Sequence, residues 1–489
     1  VSKNLKTNIF FLGYWLIKRN IKEITLLGTI RNERGNILKR EKLTISQVKA
    51  YKIDIKDLLP FEYKKSFIGS IELEVFSSQD MVYPYPAFVV NFEGKNTSSV
   101  VHTCGRIYNS YEDQLSNTDI RTEESGFDIF ENKNFEPFFS FVNGSYKSKN
   151  KSIKLTLINY LGQKKIKIIK FKKIYPYETK IIRFLSKKEK TFFKNKKGTV
   201  KIKHTFDNFF PRFLSGNLDK NLNDSLLTHS YYDLSKVKDK NQYFVNKDKK
   251  NYYDSTAVVP LFFKDKFYTE VAIYPNINPS NFFFNLELYD HKGKLIVKIL
   301  KIKKINYTLS RPIYLNINKI LFESKIKLNK KNIYFCRIFS SSKNKYPVRM
   351  KFALNICNTM KNSVPSNICF NFQVPEPSFL KKKGAFKWGL LQNKNHSIVT
   401  FSNLGIDRRN KNAKLKLKFW NEYNNKFLTK NITIKRNASL WLDINKEKKL
   451  KKFLNKKSGW VTAQCNNPNI SGWYFEITKN KSVGADHLF

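Results

Sequence analysis

The stretch IKLTLINYLGQ, residues 153–163, contains the pattern that decides the fold. Residues 153–157 alternate between apolar and polar side chains, which is the period of a β-strand with one buried face. Asn159 then opens a tight turn, and Gly162 supplies a residue that adopts positive φ without steric cost. The stretch therefore predicts a β-strand that leads into a hairpin.

The same strand-and-turn pattern occurs four times along the 489 residues. The turns are IRNERGN, INYLGQ, YDHKGK and WNEYNNK, and intervals of 127, 131 and 131 residues separate Gly35, Gly162, Gly293 and Asn424. Two later landmarks keep one order after each turn: first Gly69, Gly198, Asn332 and Gly459, then Pro86, Pro211, Pro347 and Ser471. A fixed period of this kind is the signature of an internal repeat.

Short alternating strands without helical periodicity predict an all-β fold. We expect four tandem antiparallel β-sandwich repeats of about 100 residues, joined by polar linkers. The predicted repeats are 1–106, 136–233, 258–372 and 385–489, and the predicted linkers are 107–135, 234–257 and 373–384. The second linker is so charged that we expect it to be mobile unless its aromatic side chains dock on a neighbouring repeat.

Lysine dominates the charge of the chain. Lys and Arg total 91 against 39 acidic residues, which gives a formal charge of +52, and only 14 of the basic residues are Arg. Such a charge attracts polyanions of any kind at low salt. Proteins that read nucleic-acid sequence rely on Arg and gather their charge on one face, whereas Lys here occurs in nearly every segment. Nucleic-acid binding is therefore a less favoured prediction, and part of the charge fits an AT-rich coding sequence.

Cysteine usage and sequence motifs limit the functional classes. The five Cys form no CxxC pair, which argues against a zinc ribbon or a dense disulfide framework and indicates a reduced compartment. The sequence has no GxGxxG, GxxxxGK[ST] or HExxH motif and no GxSxG motif in a strand-to-helix context. We therefore expect no cofactor and no metal, and we favour a non-enzymatic protein.

The N-terminal residues and the hydropathy bear on the location of the protein. An apolar stretch, residues 9–17, is followed by Lys18 and Arg19, where a signal peptide would have small residues. We interpret this stretch as a first β-strand, with a targeting segment as the alternative. No apolar run approaches the ~18 residues of a membrane-spanning helix. The expected location is the cytoplasm, with cell-envelope association as the alternative.

Three histidines recur near the ends of predicted repeats. KNTSSVVHTCGR, KNLNDSLLTHSYYD and KNKSVGADHLF place His102, His229 and His487 at corresponding positions. Imidazoles in loops suit metal ligation or acid–base chemistry, with Asp233 and Asp486 as partners. The alternative is a structural role, in which each ring hydrogen-bonds a backbone carbonyl and packs beside a turn. Repetition of a residue is typical of this structural role.

The segment THSYYD, residues 228–233, is the densest polar-aromatic cluster. Together with Arg106 it forms the predicted ligand pocket, because aromatic faces stack on sugar rings and carboxylates accept hydrogen bonds from hydroxyls. Packing of the two tyrosines against the following linker is the alternative. The predicted ligand-binding residues are His102, Arg106, His229, Tyr231, Tyr232, Asp233 and His487. An exposed Trp in 385–489 would make that repeat the preferred glycan-binding candidate.

Strand spacing and hairpin turns over nearly the whole chain resemble tandem immunoglobulin-like and fibronectin-like β-sandwich proteins. The resemblance implies a scaffold, adhesion or ligand-binding role, often at a cell surface. We therefore expect a non-enzymatic repeat protein that binds or organises a carbohydrate or polyanionic ligand, such as a polysaccharide, in association with the bacterial cell envelope. The alternative is an enzyme acting on surface polysaccharide, with a site assembled from His102, Arg106, His229, Asp233 and His487.

Overall fold

A computed structural model gives the fold as two compact units. The first unit is Val1–Asp233 with Glu422–Asn425, and the second is Leu234–Asn421 with Lys426–Phe489. The structure describes residues 1–81, 88–102, 106–107, 123–130, 135–194, 196–207, 209–210, 212–220, 223–232, 243–275, 281–306, 309–343, 346–347, 352–360, 365–392 and 395–489.

In the residues that the structure describes, the first unit consists of β-strands with three short α-helices. Its strands are β1 Lys6–Leu12, β2 Ile24–Asn32, β3 Ile37–Ile45, β4 Ala50–Asp54, β5 Gly69–Phe76, β6 Val89–Glu93, β7 Ser98–Val101, β8 Arg106–Ile107, β9 Glu124–Ser125, β10 Asp128–Ile129, β11 Phe135–Val142, β12 Ser148–Asn159, β13 Lys164–Ile174, β14 Thr179–Arg183, β15 Gly198–His204, β16 Phe209–Phe210, β17 Leu214–Asp219, β18 Ser225–His229 and β19 Tyr231–Tyr232. The helices are α1 Tyr14–Arg19, α2 Ile55–Leu58 and α3 Lys187–Phe193, with a 3₁₀ turn at Phe61–Tyr63.

The second unit has the same character. Its strands are β20 Tyr243–Phe244, β21 Ser255–Leu261, β22 Phe267–Ile273, β23 Phe282–Asp290, β24 Leu295–Ile305, β25 Ile313–Asn316, β26 Tyr334–Ser341, β27 Tyr346–Pro347, β28 Phe352–Asn358, β29 Ile368–Phe370, β30 Ala385–Leu391, β31 His396–Ser402, β32 Ala413–Asn421, β33 Phe427–Ile434, β34 Ser439–Asp443, β35 Gly459–Cys465, β36 Ser471–Ile477 and β37 Val483–His487. The helices are α4 Ile317–Glu323, α5 Pro377–Leu380 and α6 Lys448–Leu454. Among the described residues, no helix has the length and apolar character needed to span a membrane.

The sheets are antiparallel, so the predicted all-β class is confirmed. We name each larger sheet after one of its strands. In the first unit they are the β1 sheet (β4-β1-β6-β7), the β2 sheet (β3-β2-β5), the β11 sheet (β14-β11-β17-β18) and the β12 sheet (β13-β12-β15-β9-β19, with β10 on β15). In the second unit they are the β22 sheet (β25-β22-β28-β29), the β23 sheet (β24-β23-β26-β21), the β31 sheet (β34-β31-β36-β37) and the β32 sheet (β33-β32-β35-β30). The four tandem repeats and their boundaries stay a prediction.

Apolar side chains of facing sheets form the cores. In the first unit, Phe139 of the β11 sheet packs in one cluster with Leu155 and Ile202 of the β12 sheet. In the second unit a larger cluster joins the β22 and β23 sheets and continues to Trp473 and Phe475 of the β31 sheet. The indole N–H of Trp473 donates to the backbone carbonyl of Val258 at 2.9 Å, which fixes the β31 sheet against β21.

The hairpin turns have the chemistry that the sequence predicts. The side-chain oxygen of Asn159 accepts hydrogen bonds from two backbone N–H groups of its own turn at 3.0–3.1 Å, and Asn32 and Asp290 do the same at 2.9–3.0 Å. Gly35, Gly162 and Gly293 have φ of +88°, +87° and +93°, which an L side chain rarely adopts. The fourth connection is longer, because β32 and β33 stop pairing at Trp420 and Phe427.

The tip of the β2–β3 hairpin docks on the β13–β14 connection of the first unit. The N–H of Thr179 donates to the carbonyl of Glu33 at 2.9 Å, and the guanidinium of Arg31 lies 4.0 Å from the centre of the Tyr177 ring. Arg31 on β2 also pairs with Glu72 on β5 at 2.7 Å. A methyl group added to Gly35 would lie 2.2 Å from the carbonyl oxygen of Pro176. The backbone is therefore packed too tightly here for any side chain.

A buried ion pair lies on the outer face of the β23 sheet. Arg337 of β26 contacts Glu287 of β23 at 2.7 Å, and the two side chains are 3% and 4% exposed. The guanidinium also donates to the hydroxyls of Tyr253 and Tyr289 at 3.0 Å and to the carbonyl of Leu404 at 2.7 Å. Burial opposes ionisation of Glu287, but Arg337, the Tyr289 hydroxyl and Lys298 together outweigh it and hold the pKa of this carboxyl below its usual value.

Parts of two predicted linkers are packed within the second unit. In the 234–257 linker, Tyr252 is buried and the Tyr253 ring lies 4.8 Å from the Arg337 guanidinium. In the 373–384 linker, the backbone of Gln373 exchanges two hydrogen bonds of 2.8 Å with Thr256, and Phe379 of α5 is buried. The Tyr252, Tyr253 and Phe379 side chains are thus held by packing. In the 107–135 linker, the described part contributes β9 and β10 to the β12 sheet.

Helix α3 is held by Glu189, an acidic side chain in its first turn. Glu189 accepts from the backbone N–H of Ser186 at 2.9 Å and also from the Ser186 hydroxyl. The ammonium groups of Lys165 and Lys167 lie 3.1 and 3.4 Å from its carboxylate. Burial opposes ionisation, but these hydrogen bonds and charges outweigh it and lower the pKa of Glu189 to about 2.

The low pKa of Glu189 predicts a specific loss of stability in acid. Because the pKa is lower in the folded than in the unfolded chain, the stabilisation is fully present above about pH 4.5 and is lost as the pH falls through about 2. We expect Glu189→Gln to flatten the dependence of the urea midpoint on pH between 4.5 and 2. Glu62→Gln, which changes an exposed carboxyl, is the control and should retain the wild-type slope. An unchanged slope for Glu189→Gln would contradict this assignment.

Candidate functional site

Two of the predicted histidines meet in the first unit. His102 follows β7, and His229 ends β18. Both side chains are buried, and their ring centres lie 4.6 Å apart in an edge-to-face arrangement. Leu227 of β18 donates its N–H to the hydroxyl of Ser99 on β7 at 2.9 Å, so the two strands are hydrogen-bonded neighbours. The repeated histidine therefore lies where the last strand of the β1 sheet meets that of the β11 sheet.

His229 and His487 each form the same kind of local contact, with the backbone carbonyl of the next residue. The Nδ1 atom of His229 lies 2.7 Å from the carbonyl oxygen of Ser230, and Nδ1 of His487 lies 3.3 Å from that of Leu488. His487 is in the second unit, where its ring packs on Phe489 with ring centres 4.6 Å apart. A ring bonded to the next carbonyl and packed on an aromatic neighbour is the geometry of the structural alternative described above.

The residue after His229 anchors a polar cluster. The Ser230 hydroxyl donates to Glu124 at 2.5 Å and accepts from the backbone N–H of Phe213 at 2.9 Å. The N–H of Ser230 in turn donates to the carbonyl of Phe213 at 2.8 Å. Ser230 and Glu124 are fully buried. These bonds join β9 to the start of β17 and position the backbone beside His229.

The remaining predicted site residues are described in part or lie outside the described residues. Arg106 pairs with Phe210 in the β8–β16 ladder, and Tyr231 and Tyr232 pair with Ser125 and Glu124 in the β19–β9 ladder. Asp233 lies outside the described residues. The structure therefore brings His102 and His229 together, and for Arg106 and the two tyrosines it gives the backbone position.

None of the six Trp is an exposed side chain. Trp15, Trp420, Trp460 and Trp473 are buried, and Trp388 and Trp441 are half-buried. Stacking on a neutral sugar ring needs an accessible aromatic face. The condition that would make 385–489 the preferred glycan-binding candidate, an exposed Trp, is therefore not met. This weakens recognition of a neutral glycan by Trp in this segment relative to recognition by charge.

The first basic sheet face is the outer face of the β12 sheet. Its cross-strand register places Lys154 of β12 directly between Ile168 of β13 and Lys203 of β15. Lys154, Lys203 and the nearby Lys170 are exposed, and no described acidic side chain pairs with them. Like charges directly opposite each other destabilise an antiparallel pair. An anion bound over Lys154 and Lys203 would relieve this repulsion.

The second basic sheet face is a row of lysines along β32, in the second unit. Lys414, Lys416 and Lys418 occupy alternate positions and therefore point to the same side of the β32 sheet. The register places Asn431 and Gln464 beside Lys416, so its neighbours across the strands are uncharged. Among the described residues, no carboxylate pairs with these three lysines. We call this row the lysine ladder.

The outer face of the β2 sheet is different because it contains both charges. Arg40 lies in one cross-strand row with Glu72, and Lys42 lies in another with Glu74. Each acidic residue is two strands from its basic counterpart, which is roughly 10 Å for a strand spacing of about 4.8 Å. The charges on this face therefore offset one another, unlike those of the lysine ladder.

The sequence contains a signal for the lysine ladder that is separate from the repeat pattern. AKLKLKFW places Lys at every second residue, and the sequences of β33 and β35 contain no Asp or Glu. Strand alternation alone assigns such lysines to a solvated face. Only the cross-strand register shows that the neighbours of Lys416 are neutral.

No protein-family model matches this chain, and no curated protein matches it significantly.

Proposed function

We propose that this protein is a non-enzymatic scaffold that binds an anionic polymer through its basic sheet faces. The observation that carries the proposal is the lysine ladder, a row of three lysines whose cross-strand neighbours are uncharged. The opposed Lys154 and Lys203 provide a second basic face in the other unit. The formal charge of +52 favours long-range attraction of such a polymer.

The spacing of the lysine ladder suits a linear polymer. Alternate residues of a strand are about 6.8 Å apart, so the backbone positions of the three lysines span roughly 14 Å along β32. Lysine acts as a point charge and does not impose the bidentate geometry that Arg does. Such a row recognises the charge density of a chain and tolerates variation in its chemical sequence. The ligand class that we propose is an anionic polysaccharide of the bacterial cell envelope.

Removal of two ladder charges tests the proposal. We expect Lys414→Gln with Lys416→Gln to elute from immobilised heparin at lower NaCl than wild type. The plot of log affinity against log salt should become shallower by about 1.5, because each neutralised contact contributes about 0.7 to 0.9. Wild-type protein should not be retained on neutral dextran under the same conditions.

A matched double variant separates local from overall charge. Arg40→Gln with Lys42→Gln removes the same number of positive charges from a face that also contains Glu72 and Glu74. This variant should elute close to wild type. Equal shifts for the two double variants would contradict a specific role of the ladder, because they would show that only the net charge matters.

A further inference from the structure

Strand β13 forms an open edge of the β12 sheet. It pairs with β12 along one side, from Ser148 opposite Ile174 to Ile158 opposite Lys164, without a shift of register. In the part of the chain that the structure describes, no strand pairs with its other side. An edge strand of this length presents a row of N–H and C=O groups that another extended chain can pair with.

The outward side chains of β13 combine apolar and basic residues. Ile166 and Ile168 are each 57% exposed, and Lys164 and Lys170 flank them at the next alternate positions. On the opposite side of the strand, Phe171 packs against the core of the first unit. The outward row therefore reads Lys-Ile-Ile-Lys, with two large apolar side chains left in contact with water.

The edges of the other hairpins differ from β13. Strand β24 pairs with β23 through two register shifts, and Lys301 within it has φ of +55°, which bends the edge. Strand β3 pairs with β2 through one register shift. Strand β33 is regular, but Thr429, Asn431 and Thr433 are its exposed residues beyond Phe427. Of these four described edges, β13 combines a regular register with adjacent exposed isoleucines.

Charge determines which partner fits this edge. β13 contains six lysines among its eleven residues and no acidic residue. A second copy of β13 would bring two lysine rows together, and like charges on paired strands repel. We propose that β13 binds an extended acidic peptide segment of another protein as an added antiparallel strand. The residues of this peptide that face Lys170 and Lys164 are acidic, and those that face Ile168 and Ile166 are apolar. Backbone hydrogen bonds to β13 then provide affinity, and these side-chain pairs provide specificity.

A designed peptide tests the register. The full chain is titrated into fluorescein-labelled peptide ETVTVTE at 0.15 M NaCl, and binding is measured by fluorescence anisotropy. We expect ETVTVTE to bind at least tenfold more tightly than KTVTVTK, which reverses the end charges, and than ETSTSTE, which removes the apolar pair. Saturating ETVTVTE should slow hydrogen exchange of backbone amides in 164–171. Equal binding of the three peptides, or unchanged exchange in 164–171, would overturn the proposal.

Two variants separate this site from general attraction by charge. Ile166→Thr with Ile168→Thr retains β propensity and charge but removes the apolar contacts, and we expect it to weaken ETVTVTE binding at least tenfold. Leu300→Thr on β24 is the matched control, because Leu300 is 58% exposed on an edge with shifted register. It should bind ETVTVTE as wild type does. Both variants should elute from heparin at the same NaCl concentration as wild type. A failure of the peptide-binding proposal is therefore distinguishable from a failure of the polyanion-binding proposal. Wild-type affinity in the double variant would overturn the proposal.

Discussion

Replacement of Arg337 by alanine is expected to lower the free energy of unfolding of the second unit by about 3–5 kcal/mol, the range for breaking a buried ion pair. The substitution leaves Glu287 buried without its main counter-charge and removes donors to Tyr253, Tyr289 and the Leu404 carbonyl. Five of the six Trp belong to the second unit, so their fluorescence during urea unfolding measures the change.

The control for Arg337 is a weaker partner of the same carboxylate. Lys298 lies 3.4 Å from Glu287, but its side chain is 47% exposed. Exposed ion pairs contribute at most about 1 kcal/mol, so Lys298→Ala should shift the urea midpoint only slightly. A second variant, Arg337→Met with Glu287→Leu, removes both charges and should recover most of the loss. Similar midpoints for Arg337→Ala and Lys298→Ala would show that the buried pair does not hold the unit together.

Replacement of Gly35 by alanine is expected to destabilise the first unit by about 2–4 kcal/mol, combining backbone strain at positive φ with a steric clash. The φ of Gly35 is +88°, and the new methyl group would lie 2.2 Å from the Pro176 carbonyl oxygen. The hairpin tip must then move away from the β13–β14 connection. We expect the amide of Thr179, which donates to Glu33, to lose protection from hydrogen exchange.

Gly162→Ala is the matched control for the hairpin tip. Gly162 has φ of +87° in the β12–β13 turn, so this variant imposes a similar backbone strain at a second hairpin. Its effect should be about 1–2 kcal/mol, the cost of forcing a side chain into this backbone conformation. The prediction for Gly35 is wrong if the two variants lose equal stability, or if the Thr179 amide keeps its wild-type exchange rate in Gly35→Ala.

The sequence predicted the local structure of the fold well because local chemistry determines it. Asn159 and Gly162 specify their turn through a side-chain hydrogen bond and a backbone conformation, both within a few residues. Alternation in IKLTL assigns Leu155 to the core, where the structure places it. The position of the β31 sheet against β21 was not predictable in this way, because it depends on a contact between Trp473 and Val258, residues far apart in sequence.

The same limit explains why the role of the outer faces was not predicted. A strand pattern distinguishes the two faces of a sheet but does not reveal that a neighbouring segment covers the outer one. The strand pattern of NIYFCRIF therefore does not identify Arg337 as buried. A signal existed, since FFFNLELY and YFCRIF lack Lys in a chain where Lys usually occupies outward positions. Contiguous apolar and aromatic residues on both faces are typical of a strand buried on both sides.

In the candidate site, too, some features are visible in the sequence and others depend on contacts between distant strands. Repetition of His102 and His229 at corresponding positions was visible in the sequence, and the structure places the two rings 4.6 Å apart. Their contact results from packing of the β1 sheet near the β11 sheet, which no local pattern encodes. The ligand-binding role of these histidines stays a prediction. The lysine ladder depends on what faces Lys416 across two strand pairs, and that register follows from the whole β32 sheet.

The Arg31–Glu72 and Glu287–Arg337 ion pairs lie on strands that the predicted repeats place in correspondence, and the two pairs have opposite polarity. Arg31 lies on β2 and Glu72 on β5, whereas Glu287 lies on β23 and Arg337 on β26. If β26 were exchanged into the place of β5 during folding, Arg337 would approach Arg31, and the reverse exchange would bring Glu72 to Glu287. Strand exchange between similar modules is a characteristic error of multidomain chains. Because like charges on paired strands repel, we expect the reversed polarity to disfavour such exchanged intermediates.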